Sequence, residues 1–115
     1  SAASDVYKRQ VQKAKEVNEK VNPDIHTFTG IVASGDQFIA SKEAKEKIVT
    51  NFHAFCAEME GAAIAHAAYL NKVSCVIIRA ISDKADNSAV MDYPEFEKRA
   101  IRQNVRLVTE LVAEI

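Results

Sequence analysis

Residues 55–81 read FCAEMEGAAIAHAAYLNKVSCVIIRAI and decide the fold. The short apolar segment 55–58 is typical of a strand, and the alanine-rich segment 61–71 predicts a helix whose small side chains pack closely on a sheet. The run VSCVIIRAI at 73–81 is the most apolar in the chain. A continuous run of this kind, flanked by helices, predicts a strand that is buried on both faces of a parallel sheet. Strand, helix and strand in this order predict an α/β fold.

The same alternation extends upstream. Residues 25–33 are rich in β-branched and aromatic side chains and predict another strand. After a break at Ser34-Gly35-Asp36, Ser41 is placed to cap a helix that carries Glu43 in its first turn. The inner side of that helix is expected to carry Ala44, Ile48, Val49 and Phe52. A first helix, ending at Asn22-Pro23-Asp24, is predicted by apolar residues at helical spacing, namely Tyr7, Val11, Ala14, Val17 and Val21.

Downstream, the sequence predicts a polar loop at 83–92 and then a last helix. Asp92 and Glu95 have the spacing of a capping box. Beside Phe96 and Leu111, the helix has one apolar stripe, made of Ile101, Val105, Val108, Val112 and Ile115. Helices and strands thus alternate along the chain, which begins and ends with a helix. This order predicts a three-layer α/β sandwich with helices on both faces of the sheet and right-handed crossovers.

Composition and charge exclude several classes of protein. The 115 residues are 48% hydrophobic and 27% charged, with a formal net charge of -1 and no basic run, which argues against a nucleic-acid-binding surface. No stretch has the roughly 18 to 20 apolar residues needed to span a bilayer, and no segment resembles a secretory signal. Cys56 and Cys75 lack metal-ligand spacing. We expect both to be buried thiols in a protein of the cytoplasm.

Candidate functional residues follow the predicted strands. Ligands of open α/β sheets bind beyond the carboxyl ends of the strands, and the segments found there are SGDQFI (34–39), EMEG (58–61) and RAISD (79–83). Each of them carries an acid, two add a large apolar side chain and one adds an arginine. Their meeting at one sheet edge predicts a pocket for a small polar ligand with one flat apolar part.

Each of these residues also has a structural interpretation. Gly35-Asp36 alone is a turn, and Glu60 alone suits the first turn of the next helix, where the helix dipole favours an anion. Asp83 can cap a loop, and Arg79 can be an ion-pair partner of Glu58 or Glu60. Only the convergence of the three segments favours the pocket. The histidines carry no catalytic pattern: His26, His53 and His66.

Three motifs, in this order, resemble those of the methylthioadenosine/S-adenosylhomocysteine nucleosidases, which belong to the nucleoside phosphorylase superfamily. They are ASGDQF (33–38), AEMEGAAIAH (57–66) and IRAISDKAD (78–86). The resemblance implies a mixed β-sheet flanked by helices. It implies that residues 11–115 are the C-terminal part of a single nucleosidase/phosphorylase domain. Residues 1–10 continue no downstream pattern, and we expect them to be a segment foreign to the natural protein.

The resemblance implies hydrolysis of the N-ribosidic bond of 5′-methylthioadenosine and S-adenosylhomocysteine, with release of adenine. It gives Asp83 the role of the general acid at adenine N7, oriented by Ser82, and it places Arg79 near the attacking water. Glu60 would bind the ribose hydroxyls, because a carboxylate accepts from two adjacent hydroxyls. The substrate-binding positions that it implies are Phe38, Ile39, Glu58, Met59, Glu60 and Tyr93.

Within that set, Phe38 would stack on the purine and the backbone of Ile39 would contact the adenine edge. Met59 would lie against the sugar. Tyr93 stands where the family often has Phe, beside the 5′-alkylthio group, and keeps the aromatic ring. Ala57 replaces a valine common in the family, which is a small loss of packing.

One departure is larger, because nothing here matches the glutamate with which the family activates the water. We therefore expect this fragment to be inactive by itself. Alternatives are a purine nucleoside phosphorylase or a futalosine-type hydrolase of the same superfamily, or an inactive fragment.

The resemblance implies no metal and no organic cofactor, and a small purine thio-nucleoside as the binding partner, with no nucleic acid and no membrane. It further implies a homodimer for the full-length parent, and a role in nucleoside catabolism and methionine salvage.

Overall fold

A computed structural model describes residues 2–81 and 93–115, with side chains from residue 8 onward. The elements are α1 (Ala2–Val21), β1 (Ile31–Ser34), α2 (Lys42–Phe52), β2 (Ala54–Glu58), α3 (Gly61–Leu70) and α4 (Tyr93–Glu114). They form two compact units: α1 belongs with α4, and the two strands belong with α2 and α3. The loop predicted at 83–92, with its cap Asp92, lies outside the described residues.

The first unit is a pair of helices in contact, α1 and α4. Ala14 and Val17 of α1 are buried, as are Ala100 and Leu107 of α4. The apolar face predicted for the first helix is therefore confirmed where its side chains are described, since Val11 and Val21 are half-buried beside this core. The helix ends before Asn22, as the Asn-Pro-Asp sequence predicts.

Asn22 connects the end of α1 to α4 and is fully buried. Its side-chain amide donates to Asn18 Oδ1 at 2.8 Å and to the backbone oxygen of Gln103 at 3.0 Å. Its own Oδ1 accepts from Arg106 at 3.3 Å. A buried amide is tolerated only when such partners satisfy it, so Asn22 fixes where the two helices meet.

The apolar stripe predicted on the last helix is exposed in this structure. Each of its members has at least half of its surface accessible: Ile101, Val105, Val108, Val112 and Ile115. The helix has a second apolar side, with Ala100 and Leu107, and that side is the buried one. Helical spacing identifies an apolar face but not the element that covers it.

Within the described residues, no helix combines the length and the apolar character needed to cross a membrane.

The second unit contains a β-α-β arrangement in which β1 and β2 pair in parallel. Val32 pairs with Cys56, Ala33 with Ala57 and Ser34 with Glu58. The strand predicted at 55–58 is confirmed. The strand predicted at 25–33 begins only at Ile31, because β-forming residues become a strand only where a partner backbone completes the ladder.

Local signals locate both helices of this unit. Ser41 Oγ accepts the N–H of Ala44 at 3.1 Å and caps α2 as predicted. Of the expected inner side of α2, Ala44 and Ile48 are half-buried, whereas Val49 and Phe52 are exposed. The helix predicted at 61–71 is confirmed as α3.

The strand predicted at 73–81 is wrong for this structure. The structure describes these residues, but they pair with neither β1 nor β2 and take no place in that sheet. Val73 and Ile81 are more than half exposed, and only Cys75 to Ile77 are half-buried. An apolar run indicates a tendency to be buried, but it does not provide the neighbouring strand that a ladder requires.

Candidate functional site

Two of the predicted segments meet at the carboxyl end of the sheet. Ser34, the last residue of β1, pairs with Glu58, the last residue of β2. One residue further, the N–H of Gly35 donates to the backbone oxygen of Glu58 at 3.1 Å. Parallel pairing therefore brings the SGDQFI and EMEG segments to one edge, as the sequence predicts.

At this edge the Glu58 carboxylate is enclosed, with 4% of its side chain exposed. Its Oε2 accepts the N–H of Glu60 at 2.9 Å, and both of its oxygens accept the N–H of Gly61, at 2.8 and 2.7 Å. Burial raises the pKa of Glu58, but hydrogen bonds from Glu60, Ser34 and Gly61, together with the charge of Arg79, outweigh it. The pKa of this carboxyl is therefore held below its usual range, and the group is ionised at neutral pH.

This carboxylate lies at the start of α3, where the first N–H groups have no partner within the helix. Glu58 takes two of them, and Ser34 Oγ accepts a third, from Ala62 at 2.9 Å. A side chain at Gly61 would place its Cβ 2.5 Å from Glu58 Oε1, so the carboxylate would have to move. Gly61 therefore lets the carboxylate approach the helix closely.

Arg79 joins the RAISD segment to the same edge. Its guanidinium lies 3.7 Å from Glu58 Oε2 and 3.3 Å from Glu60 Oε2. The interpretation of Arg79 as an ion-pair partner of Glu58 or Glu60 is thus confirmed, and the structure pairs it with both. Glu60 is the N-cap residue of α3, and its side chain is 61% exposed. An exposed carboxylate beside a guanidinium can accept hydrogen bonds from a pair of ligand hydroxyls.

The remaining predicted site residues occupy separate positions. Phe38 and Ile39 lie on the loop after β1, where the Phe38 side chain is exposed and Ile39 is half-buried. Met59 is exposed, and its N–H donates to Glu60 Oε2 at 3.3 Å. Tyr93 begins α4 in the other unit, exposed, with its ring centroid 6.3 Å from that of Phe96.

Two predicted residues, Ser82 and Asp83, lie outside the described residues.

Cys56 and Cys75 are free thiols that are half-buried rather than buried. Burial raises the pKa of Cys56, the charge of Glu58 raises it further, and Arg79 opposes both. A raised pKa disfavours the reactive thiolate. In the part of the chain that the structure describes, no three His, Cys, Asp or Glu side chains are grouped as metal ligands would be.

The sequence places Ser34 at a strand break and at the start of the SGDQFI segment, but it predicts no contact for the hydroxyl. In the structure, its hydroxyl accepts the N–H of Ala62 at 2.9 Å, at the start of α3. A serine at one strand end and a glutamate at the next are visible in the sequence, but their pairing depends on the register between β1 and β2.

Comparison with known proteins adds the family. The family model described as "Phosphorylase superfamily" matches residues 2–113. Over 86 residues the chain is 41% identical to an aminodeoxyfutalosine nucleosidase of Helicobacter pylori, and over 85 residues it is 44% identical to a 5′-methylthioadenosine/S-adenosylhomocysteine nucleosidase of Treponema pallidum. These matches cover 75% and 72% of the chain. The native structure of the futalosine hydrolase of Helicobacter pylori matches 93% of the chain with a TM-score of 0.78 and 36% identity.

The match to that solved structure confirms the α/β fold of the nucleoside phosphorylase type. The chain spans less than half of the length of these relatives: 37% of the first, 32% of the second and 45% of the solved structure.

Proposed function

Because the chain belongs to the phosphorylase superfamily, we propose that it is part of an N-glycosyl hydrolase that releases a purine base from a 5′-substituted nucleoside. The observation that carries the proposal is the exposed Glu60 carboxylate, paired with Arg79 at the carboxyl end of the sheet. Similarity to two bacterial nucleosidases at 41% and 44% identity supports it.

The substrate that we propose is 5′-methylthioadenosine or S-adenosylhomocysteine, as in the name of the Treponema relative. Aminodeoxyfutalosine, named for the Helicobacter relative, is an equally supported candidate. Glu60 and Arg79 act on the ribose side of the substrate and do not distinguish the candidates, since what differs is the group on the 5′ carbon. Comparing rates on all three substrates decides the preference.

Hydrolysis of an N-ribosidic bond gives the sugar oxocarbenium character, and the base leaves well only when it is protonated. A general acid at the base typically contributes about 10² to 10⁴ in rate. We assign this step to Asp83, which would donate to N7, with Ser82 orienting it. An ordinary aspartic acid ionises near pH 4, so the site must raise the pKa of Asp83 for it to act as an acid.

On the sugar side, the Glu60 carboxylate accepts hydrogen bonds from the ribose hydroxyls and lies near the developing positive charge. Arg79 forms an ion pair with that carboxylate at 3.3 Å and holds it in place, and it lies beside the path of the attacking water. Met59 packs on the sugar.

Phe38 stacks on the purine and the backbone of Ile39 contacts the adenine edge. A flat ring covers the whole base. By resemblance to the nucleosidases, we assign Tyr93 to the 5′ substituent.

The purified product of the complete reading frame that encodes this chain provides the test. We expect purine release from at least one of the three nucleosides at the same rate with and without phosphate, giving the free sugar. A rate that requires phosphate and yields the sugar 1-phosphate would instead establish a phosphorylase. No base release from any of them would contradict both activities and leave a non-catalytic module.

We further propose that the complete protein is a homodimer, that it is located in the cytoplasm, and that it acts in nucleoside catabolism and methionine salvage. The resemblance to the nucleosidases supports this. Protonation of a leaving base requires no metal or organic cofactor, so we expect EDTA to leave the rate unchanged. Analytical ultracentrifugation of the complete protein measures its oligomeric state and so tests the homodimer.

A further inference from the structure

The enclosed Glu58 carboxylate is bound to the backbone of the residues that follow it. Its Oε2 accepts the N–H of Glu60 at 2.9 Å, and its two oxygens accept the N–H of Gly61 at 2.8 and 2.7 Å. A carboxylate with 4% of its side chain exposed is costly unless donors of this kind compensate it. The oxygens of Glu58 are thus occupied by groups of the chain itself, whereas the neighbouring Glu60 side chain is 61% exposed.

Glu60 is held at two points, and Glu58 is present at both. The first is the backbone N–H of Glu60, which donates to Glu58 Oε2. The second is the Glu60 carboxylate, which lies 3.3 Å from Nη2 of Arg79, while Nη1 of the same guanidinium lies 3.7 Å from Glu58 Oε2. Because the guanidinium is planar and rigid, its orientation depends on both acids. A shift of the Glu58 carboxylate therefore affects the backbone of Glu60 and the partner of its side chain together.

Gly61 leaves the space that the Glu58 carboxylate occupies. A Cβ at this position would lie 2.5 Å from Oε1 and 3.0 Å from Cδ of Glu58, which is closer than real Cβ atoms approach other atoms. The carboxylate would have to move away, and its hydrogen bonds to the start of α3 would lengthen. The missing side chain of Gly61 and the reach of Glu58 are therefore two halves of one arrangement.

We propose that Glu58 and Gly61 are positioning residues: Gly61 admits the Glu58 carboxylate to the start of α3, and that carboxylate holds Glu60 in the position that binds the ribose hydroxyls. The inference rests on the proposed function, in which Glu60 binds those hydroxyls. The alternative is that Glu58 only caps α3. In that case its displacement changes stability, and any effect on the reaction is independent of Glu60.

A double-mutant cycle in the product of the complete reading frame distinguishes the two. Gly61→Ala is made in the wild-type protein and in Glu60→Gln, and kcat/KM is measured on whichever of the three nucleosides the wild type hydrolyses fastest. Gly61→Ala keeps all three charged side chains of the site edge, and alanine favours a helix more than glycine does. Asn71→Ala is the matched control, because it removes a side-chain hydrogen bond to Ala67 at the other end of α3.

In the wild-type protein we expect Gly61→Ala to lower kcat/KM about 5- to 30-fold, the effect of losing one hydrogen bond to a charged group. In Glu60→Gln, the same substitution should lower it less than about twofold, since the group through which it acts is already altered. Asn71→Ala should change kcat/KM less than about twofold in both proteins. No loss from Gly61→Ala, or the same fold-loss in both proteins, would overturn the proposal.

Glu58→Gln tests the same arrangement from its other half, since it removes the charge and one accepting oxygen. We expect a loss of kcat/KM at least as large as that of Gly61→Ala, again in the presence of Glu60 only. A Glu58→Gln protein with the wild-type kcat/KM would overturn the proposal. If this variant does not fold, the cycle with Gly61→Ala still decides.

Failure of the proposed function is a separate outcome. If the wild-type protein releases no base from any of the three nucleosides, that function fails, and the contact between Glu58 and Glu60 is judged by NMR on the same variants. Gly61→Ala must then speed exchange of the Glu60 amide proton at least about fivefold, whereas Asn71→Ala must not. Unchanged exchange at Glu60 would contradict the hold of Glu58 on its backbone.

Discussion

The guanidinium of Arg79 lies 3.3 Å from the carboxylate of Glu60, and the same group lies 3.7 Å from Glu58. One cation thus joins an enclosed carboxylate to an exposed one. Backbone N–H groups occupy the oxygens of Glu58, whereas the Glu60 side chain is 61% exposed. Of these two acids, Glu60 is the one placed to receive a ligand.

The first prediction concerns Glu60→Gln. The amide keeps the shape of the side chain but has only one accepting oxygen and no charge, so the ribose hydroxyls lose a charged partner. We expect kcat/KM of the complete protein to fall roughly 10- to 100-fold. Glu43→Gln, at an exposed acid of α2, is the control and should leave kcat/KM unchanged. An unaltered Glu60→Gln enzyme would remove Glu60 from the site.

The second prediction concerns the stability of the sheet edge. Glu58→Gln places an NH₂ group against the N–H groups of Glu60 and Gly61, so one N–H at the start of α3 loses its acceptor. We expect a loss of about 1.5 to 3 kcal/mol in the free energy of unfolding, measured in urea. Glu46→Gln, on the exposed surface of α2, should change it by less than about 0.5 kcal/mol. Equal effects of the two substitutions would mean that the Glu58 contacts stabilise nothing.

The third prediction concerns the contact between α1 and α4. Asn22→Ala leaves the backbone oxygen of Gln103 and the guanidinium of Arg106 without their buried partner. We expect about 1 to 3 kcal/mol of destabilisation. The matched control is Asn71→Ala, which removes an exposed amide bonded to Ala67 and should cost less than about 0.5 kcal/mol. If Asn22→Ala unfolds at the wild-type urea midpoint, Asn22 does not fix these helices.

The fourth prediction is a pH dependence. Hydrogen bonds from two lysines lower the pKa of Glu114 from 4.5 to about 2. Lys13 has the largest effect and Lys20 the next largest. Because folding lowers this pKa, the ionised form is favoured in the folded chain. The resulting stabilisation is complete above about pH 4.5 and is lost as the pH falls towards 2.

The pKa of Glu114 is measurable by NMR of its carboxyl carbon. Lys20→Gln should raise it, whereas Lys47→Gln, which removes the partner of Glu43 on α2, should not. A wild-type Glu114 that titrates near pH 4.5 would show that the two lysines do not hold it.

The elements that could be predicted from the sequence depend on local signals. The sequence predicts Ser41 as a cap because a serine before a helix can accept an N–H three residues on, and it does so at Ala44. The alanine-rich composition after Gly61 predicts α3 in the same way, and Asn22-Pro23 ends α1.

What the sequence could not provide depends on partners that are distant in the chain. Residues 73–81 are apolar enough for a buried strand but are not part of a ladder in this structure, and the stripe that includes Ile101 is exposed. The convergence of Glu58, Glu60 and Arg79 was predicted, but the enclosure of Glu58 was not. That enclosure depends on the register that places Ser34 opposite Glu58.

The most direct test of the central claim, hydrolysis through protonation of the leaving base, is the turnover of Asp83→Asn in the complete protein. Asparagine keeps the size of the side chain but cannot transfer a proton to N7. We predict that kcat for purine release falls by about 10² to 10⁴ while KM changes little and the urea midpoint stays at the wild-type value. Turnover close to that of the wild type would contradict the claim.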